Sequence, residues 1–278
     1  MTNLQTPPVV VGYDGSPSSR SALMLAAGEA VRRGRHLLVV HALETTWDQD
    51  REGTSRDPLA QALHLVRPLI SGDGVAVRDG LGAAADVLLT QAENADLLVV
   101  GRGEPGLLGW FAGSVAVDVI CRAHCPVIVV TDPGPHVAHD GPVVAGIDRI
   151  SADVVLEAAF LEADLRDSDL IVVHSWSPLH WLGPDGIETI HLDDELTQDQ
   201  QERWLREVIA PFQAKYPGVP VTEAPREGKA ATLLAQSSGS ASLLVVGTRG
   251  RGPVSGLLLG SVGQKLLRHA LCPVMVVR

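Results

Sequence analysis

The sequence predicts an α/β fold made of two tandem copies of an open parallel sheet with helices on both faces. Runs of apolar residues such as 37–40 and 97–100 show no polar alternation, which is typical of strands buried on both faces. Segments with apolar residues at helical spacing, such as 21–33, separate these runs. The succession then occurs a second time, and Leu97–Gly101 returns letter for letter as Leu243–Gly247. Alternating strands and helices of this kind are characteristic of a doubly wound sheet.

Composition excludes several classes of protein. The 278 residues suffice for one large domain or for two of about 100–150 residues each. A net charge of −11, with only five Trp, three Phe and two Tyr, argues against a nucleic-acid binder. No apolar run approaches the roughly 18 residues of a membrane span, and residues 1–8 lack a signal region, so we expect no membrane segment and a cytoplasmic location. The three cysteines have the spacing of neither a disulfide framework nor a zinc site.

The first copy begins with a predicted strand at 8–14. Ser18 is the predicted cap of a helix at 21–33, and Gly34 is predicted to end that helix. The remaining predicted elements follow in order: strand 37–42, loop 44–58, helix 59–69, strand 75–77, helix 83–92, strand 97–101, helix 115–123 and closing strand 125–130.

The second copy repeats this order. Its predicted strands include 142–148, 170–175, 243–247 and 272–277. A helix at 197–212 carries many charges, and its Glu and Gln side chains are predicted to face solvent. The stretch between the copies is rich in Pro and Gly. The predicted organisation is therefore a first domain at 1–133, a linker at 134–141 and a second domain at 142–278.

A glycine-rich loop in the second copy has the pattern of a phosphate cradle. Gly247 and Gly250 follow the strand directly, and Gly260-Ser261-Val262 then opens a helix. A loop between a strand and a helix N-terminus presents backbone N–H groups to an anion, and glycines let the backbone approach it closely. Arg249 and Arg251, inside this loop, are candidates for phosphate contacts. The alternative is an ordinary turn, since glycines serve turns as well.

Acidic residues stand at the ends of the opening strands, where ligands of open α/β sheets bind. Asp14 and Asp148 occupy this place, and Ala42 and Ser175 end the second strands. The two aspartates could also be plain helix caps. His41 and His174, within apolar runs, are interpreted as core histidines rather than ligands.

With these residues in view, the chain resembles a tandem universal stress protein over nearly all of both halves. The resemblance rests on Val11–Pro17, on the Val-Val-His strands, on the loop and on the Cys-Pro-Val closing strands. The family's nucleotide motif, G-x2-G-x9-G-(S/T), is satisfied without a gap by Gly247, Gly250, Gly260 and Ser261. The resemblance implies a five-stranded, Rossmann-like parallel sheet in each copy and bound ATP or ADP, with accompanying Mg²⁺ left open.

The resemblance also implies which residues bind the nucleotide. Asp148 would contact the ribose or adenine side, with Gly146 close by, and the backbone of Ser175 would pair with the adenine edge. The remaining candidates of the second copy, assigned to the phosphates, are Gly247, Arg249, Gly250, Gly260, Ser261 and Val262. The equivalents in the first copy are Gly12, Asp14, Ala42, Gly101, Gly103, Gly113, Ser114 and Val115.

Both copies depart from the family pattern. The first loop is one residue shorter between Gly101 and Gly113, and Glu104 would repel polyphosphate, so weaker binding or none is expected there. In the second copy Asp148 is followed by Arg149 instead of glycine, and that side chain either contacts phosphate or faces water.

The leading functional hypothesis is an ATP-binding sensor or regulator of the stress response. The loop lacks the Gly-Lys-Ser/Thr ending of a P-loop, so at most slow ATP hydrolysis is expected. The alternatives are an adenylating or ATP-hydrolysing enzyme of the related nucleotide-α-hydrolase group and a nucleotide-free dimerisation module. A cyclic nucleotide also stays open as the ligand. The closing strands are expected to pair the two halves internally, while homodimerisation and an unidentified protein partner remain open.

Overall fold

The computed structural model of the protein describes residues 6–43, 57–103, 114–131, 140–176, 179–183, 186–190, 197–248 and 259–278. The strands are β1 (Val9–Gly12), β2 (Leu37–Leu43), β3 (Val75–Leu81), β4 (Leu97–Gly101), β5 (Val127–Val130), β6 (Val143–Ile147), β7 (Leu170–Trp176), β8 (Leu179–Gly183), β9 (Gly186–Ile190), β10 (Val221–Glu227), β11 (Leu243–Gly247) and β12 (Val274–Val277). The helices are α1 (Pro17–Arg33), α2 (Pro58–Val66), α3 (Ala84–Gln91), α4 (Ser114–Arg122), α5 (Ala152–Arg166), α6 (Gln198–Lys215), α7 (Ala230–Ser237) and α8 (Ser261–His269).

Ten of these strands form one sheet in the order β10-β7-β6-β11-β12-β5-β4-β1-β2-β3. We call β1–β5 with α1–α4 the first half, and β6–β12 with α5–α8 the second half. Within each half, all neighbouring strands of this sheet run parallel. The two halves meet where β12 pairs antiparallel with β5, with Met275 opposite Ile128. The predicted α/β class, with five parallel strands in each copy, is confirmed.

Helices cover both faces of the sheet, which explains why its strands are apolar without interruption. Residues of α1, α2, α5 and α6 pack on one face together with alternate strand residues such as Val9 and Val11. Residues of α3, α4, α7 and α8 pack on the other face, which receives Val10 from the same strand. Because successive strand residues point to opposite faces, both sets must be apolar when both faces are buried.

Two local predictions were wrong, and one pair of strands was not predicted. The cap of α1 is Ser16, whose Oγ accepts a hydrogen bond from the amide of Ser19 at 3.2 Å, and not Ser18. The Gln face of α6 is not uniformly solvated, since Gln201 is fully buried. The antiparallel pair β8–β9 was not predicted at all. Its strands lie in a stretch of mixed polarity in which period-two alternation is weak.

The turn that leads into β6 depends on a glycine packed against backbone. A Cβ atom built on Gly141 would lie 2.0 Å from the carbonyl oxygen of Ser240, where no side chain fits. Gly218, in the exposed turn before β10, has open space around its Cβ position instead. The two glycines therefore form a matched pair for testing this packing.

We expect Gly141→Ala to destabilise the protein by about 2 kcal/mol, because backbone must shift to admit the methyl group. Gly218→Ala should change the free energy of unfolding by less than about 0.5 kcal/mol. Urea denaturation followed by circular dichroism measures both. Equal stability of the two variants would contradict the close contact at Gly141.

Candidate functional site

The predicted site residues meet at two switch points of the sheet. In each half the strand order reverses beside the opening strand, between β1 and β4 and between β6 and β11. Gly12 and Gly101 end the first of these pairs, whereas Gly146 and Gly247 lie at the end of the second. Ligands of open α/β sheets bind in the crevice at such points. The topology therefore brings the strand-end aspartates and the glycine loops to the same edge in each half.

In the second half, the turn after β6 packs directly against the start of the glycine loop. A Cβ atom on Gly247 would lie 2.8 Å from Cβ of Ser151 and 2.9 Å from its hydroxyl oxygen, so a side chain at 247 is excluded. The Ser151 hydroxyl in turn donates to Oδ1 of Asp148 at 2.8 Å. Asp148 and Gly247 are thus held together through a single serine.

Asp148 also organises the start of α5. Its Oδ1 accepts hydrogen bonds from the amides of Ile150 at 2.9 Å and Ser151 at 2.8 Å. The N-cap residue of α5 is Ser151, so Asp148 does not cap the helix itself but holds the turn that precedes it. Among the described residues, these bonds all reach Oδ1 and none reaches Oδ2, which leaves the second carboxylate oxygen for a ligand hydroxyl.

The glycine loop of the second half ends at the N-terminus of α8, and this end lies close to the start of the loop at Thr248. Gly260 is the N-cap residue, and no side chain caps this helix end within the described part of the chain. A Cβ atom on Gly260 would lie 3.8 Å from the carbonyl oxygen of Thr248, with no closer neighbour among the described atoms. The first-turn amides of Ser261 and Val262 are of the kind that lacks an intrahelical acceptor. Arg249, Gly250 and Arg251 lie outside the described residues.

In the first half, one amide of the equivalent loop already has a protein acceptor. Ser18, the counterpart of Ser151 in the repeat, accepts a hydrogen bond from the amide of Gly103 at 3.1 Å. Gly103 adopts a φ of 77°, a backbone conformation that favours glycine. The Ser18 hydroxyl oxygen also lies 2.2 Å from the position that a Cβ atom on Gly101 would take.

The rest of the first-half loop is only partly described. Ser114 and Val115 begin α4, so the structure places them where the sequence predicted. Glu104 and Gly113 lie outside the described residues. Ser18 accepts a hydrogen bond from a loop amide in the first half, whereas its counterpart Ser151 donates a hydrogen bond to Asp148 in the second half.

Asp14 in the first half accepts a hydrogen bond from the amide of Ser16 at 2.9 Å, and its own amide donates to the Ser19 hydroxyl at 3.3 Å. Partial burial acts to raise the pKa of the Asp14 carboxyl, but the interactions with Ser16 and Ser19 outweigh it, so the pKa lies below its ordinary value. The ionised form is therefore the one that this turn stabilises.

Near the end of the second strand of each half, β2 and β7, a histidine contacts a backbone carbonyl group. His174 is buried, and its Nδ1 lies 3.2 Å from the carbonyl oxygen of Ile147. Nδ1 of His41, which is half-buried, lies 2.8 Å from the carbonyl oxygen of Tyr13. The interpretation as core histidines is confirmed for His174. Ala42 and Ser175 follow these histidines in β2 and β7, at the same carboxyl edge.

A polar and aromatic cluster next to His174 was missed by the sequence analysis. The guanidinium of Arg149 lies 4.5 Å from the centre of the Trp204 ring, and its Nη2 is 3.4 Å from Oε1 of Gln201. The same Oε1 lies 3.1 Å from Nε2 of His174. Arg149 is exposed, as one of the two alternatives expected, and it also contacts the Trp204 ring and Gln201. A signal was available, because Gln201 stands one helical turn before Leu205 on the buried stripe of α6.

Two of the three cysteines, Cys125 and Cys272, are poor nucleophiles. All three are free thiols, and burial raises the pKa of Cys125 to about 11 and that of Cys272 to about 12. Such thiols stay protonated at neutral pH. In the described ranges, no group of His, Cys, Asp and Glu side chains is arranged to hold a metal ion. None of the described helices combines the length and apolar character that crossing a bilayer requires.

We expect Asp14→Asn to lower the melting temperature by roughly 2–3 °C at pH 7, because the ionised carboxylate holds the turn before α1. A lowered pKa in the folded state gives stability that is present above the ordinary value of about 3.9 and is lost as the pH falls through the lowered value. The difference from the wild type should therefore shrink as the pH falls below the ordinary pKa value.

A thermal melt series from pH 7 to pH 3 measures this effect. Asp73→Asn removes the same charge from an exposed turn and controls for net charge. A constant difference between Asp14→Asn and the wild type down to the lowest pH would contradict the assignment.

Comparison with known proteins agrees over both halves. The profile of the Universal stress protein family matches residues 6–131 and again residues 141–278. Universal stress protein Rv2623 of Mycobacterium tuberculosis is 34% identical over 292 residues, which cover 97% of this chain and 96% of the relative. Universal stress protein Rv2005c of the same organism shows the same identity and coverage.

Solved structures show the same fold. The crystal structure of a universal stress protein from Archaeoglobus fulgidus covers 99% of both chains, with a TM-score of 0.70 at 20% identity. A solved universal stress protein in complex with cAMP covers 46% of this chain, with 30% identity and a TM-score of 0.37. On the family match to each half and on the relatives spanning both, the chain belongs to the universal stress protein family and carries two of its domains in tandem.

Proposed function

We propose that this protein binds an adenine nucleotide, ATP or ADP, in its second half and acts as a sensor or regulator in the stress response. The observation that carries the proposal is the uncapped N-terminus of α8. Its first-turn amides stand beside Thr248 at the start of the same loop and share a sheet edge with Asp148. Unsatisfied amides and the positive end of the helix dipole favour a phosphate group at this place.

The residues fit the parts of such a ligand. The amides of Gly260, Ser261 and Val262 would hold the phosphates, and Gly260 leaves room for them because its Cβ position is open. Asp148 would accept a hydrogen bond from a ribose hydroxyl through Oδ2. The backbone of Ser175, at the end of β7, would pair with the adenine edge. Arg249 and Gly250 belong to the proposed site through their place in the motif, and any Mg²⁺ would accompany the phosphates.

For the first half we propose an association role with weak or no nucleotide binding. The contact between Ser18 and the Gly103 amide supports this, because an amide that already has an acceptor offers less to an anion. The domain boundaries at 1–133 and 142–278, the linker at 134–141 and a cytoplasmic location belong to the same proposal.

A sensor is favoured over a committed catalyst. Among the described residues the phosphate candidates are mainly backbone amides, which can hold a phosphate group but cannot act as a general base. Hydrolysis would need a positioned base and metal ligands at the γ-phosphate, and adenylation would release pyrophosphate. Nucleotide turnover in this protein is therefore expected to be slow.

We expect native mass spectrometry of the purified protein, incubated with ATP, to show one added nucleotide mass per chain. Gly260→Glu should weaken ATP binding at least about 100-fold, because a carboxylate would stand among the phosphates. The fold should stay intact, since the Cβ position of Gly260 is open. Titration calorimetry measures the affinity, and circular dichroism checks the fold.

Gly218→Glu is the matched control. It adds the same charge at an exposed glycine with open space, in the turn before β10 at the amino-terminal edge of the strands. This variant should bind ATP like the wild type. The proposal fails if the wild type takes up no nucleotide, or if both glutamate variants bind equally well.

A further inference from the structure

Four charged side chains form a buried cluster between the two halves. Glu29 and Arg33 lie on α1, and Glu162 and Arg166 lie on α5. The side chains of the glutamates are 0% exposed, and those of the arginines are 7% and 8% exposed. We call these four residues the buried quartet. Nothing in the proposed nucleotide chemistry uses them.

Each charge of the quartet has partners in both halves. Within the helices, Arg33 pairs with Glu29 at 3.3 Å, and Arg166 pairs with Glu162. Between the helices, Arg166 pairs with Glu29 at 2.5 Å, and Arg33 pairs with Glu162. Within the quartet, every carboxylate therefore receives one guanidinium from its own helix and one from the other half.

The quartet is self-complementary. In α1 and in α5, Glu stands four residues before Arg at equivalent places of the repeat. The contact of Arg33 with Glu162 is mirrored by that of Arg166 with Glu29. Such reciprocity is the mark of an interface in which both partners present the same patch.

Burying these charges contributes little net stability. Burial and the nearby charge of Glu29 raise the pKa of Glu162, although Arg166 and Arg33 act to lower it, so the two arginines do not fully offset burial and like-charge repulsion. Removing one partner of a buried pair is nevertheless very unfavourable, because the other charge stays behind unpaired. An element of this kind discriminates strongly between matching and mismatched partners.

The strand pairing between the halves lacks such discrimination. β5 and β12 pair through backbone hydrogen bonds and are wholly apolar. An apolar edge strand accepts many partners and registers. We propose that the buried quartet selects the pairing partner: a half is accepted only when it presents Glu and Arg four residues apart at this site. In the present structure the partner is the other half of the same chain.

The test exchanges charges within helices of the full-length chain. The α1 swap is Glu29→Arg with Arg33→Glu, and the α5 swap is Glu162→Arg with Arg166→Glu. Each swap keeps the pair inside its helix but sets like charges against each other between the halves. The quadruple variant, with both swaps, places opposite charges together again.

All chains, including the reference, carry Asp96→Asn. Asp96 bonds to Arg33 at 2.8 Å and would repel a glutamate at position 33. Arg32 and Arg35, which contact Glu29 and Asp96 respectively, are partly exposed and can turn towards solvent.

We expect either swap alone to lower the melting temperature by about 10 °C and to split the calorimetric transition as the halves uncouple. The quadruple variant should recover more than half of that loss and a single transition. Small-angle scattering should show a larger radius of gyration for the single swaps only. If the single swaps do not fold, a folded quadruple variant supports the proposal equally.

The control exchanges an exposed pair at the same spacing, Asp118→Arg with Arg122→Asp on α4, and should leave the melting temperature within about 2 °C of the reference. The proposal is overturned if single swaps melt like the reference. It is also overturned if the quadruple variant loses as much as the two swaps summed, or remains unfolded.

Discussion

The antiparallel ladder between β5 and β12 is the contact on which the rest of the architecture depends. Without it each half would end in an exposed four-residue apolar strand, which invites pairing with other chains. With it, two five-stranded sheets become one, and the cores on both faces run across the junction. The full burial of Val129 and Val274 follows directly from this pairing. Each half thereby pairs with the apolar edge strand that the other half would otherwise leave exposed.

The glycines of the candidate sites are required for different physical reasons, although all of them belong to the same sequence pattern. Gly247 is needed because Ser151 occupies the space of a side chain. Gly103 is needed for its positive φ. Gly260 is needed for neither reason within the described residues, because its surroundings are open and its φ of −57° suits any residue.

Much of the fold was predictable because it rests on local pattern. Strands buried on both faces must be apolar throughout, so the sequence alone predicts the strands Leu97–Gly101 and Leu243–Gly247. The switch points follow once the repeat is recognised. What could not be predicted are contacts between polar residues far apart in sequence. Arg33 and Glu162 each read as ordinary solvated helix residues, and only the packing of α1 on α5 buries them together. The hydrogen bond from the Gly103 amide to Ser18 is hidden for the same reason.

The antiparallel pairing of β5 with β12 determines where the two candidate sites lie on the sheet. Within the ten-stranded sheet, the strands of one half run opposite to those of the other, so their carboxyl ends lie at opposite edges of the shared sheet. The contact of Arg102, just past β4, with the carbonyl oxygen of Arg268 at the far end of α8 reflects this geometry. The two candidate sites therefore lie at opposite edges of the shared sheet, and a partner that contacted both would have to reach both edges.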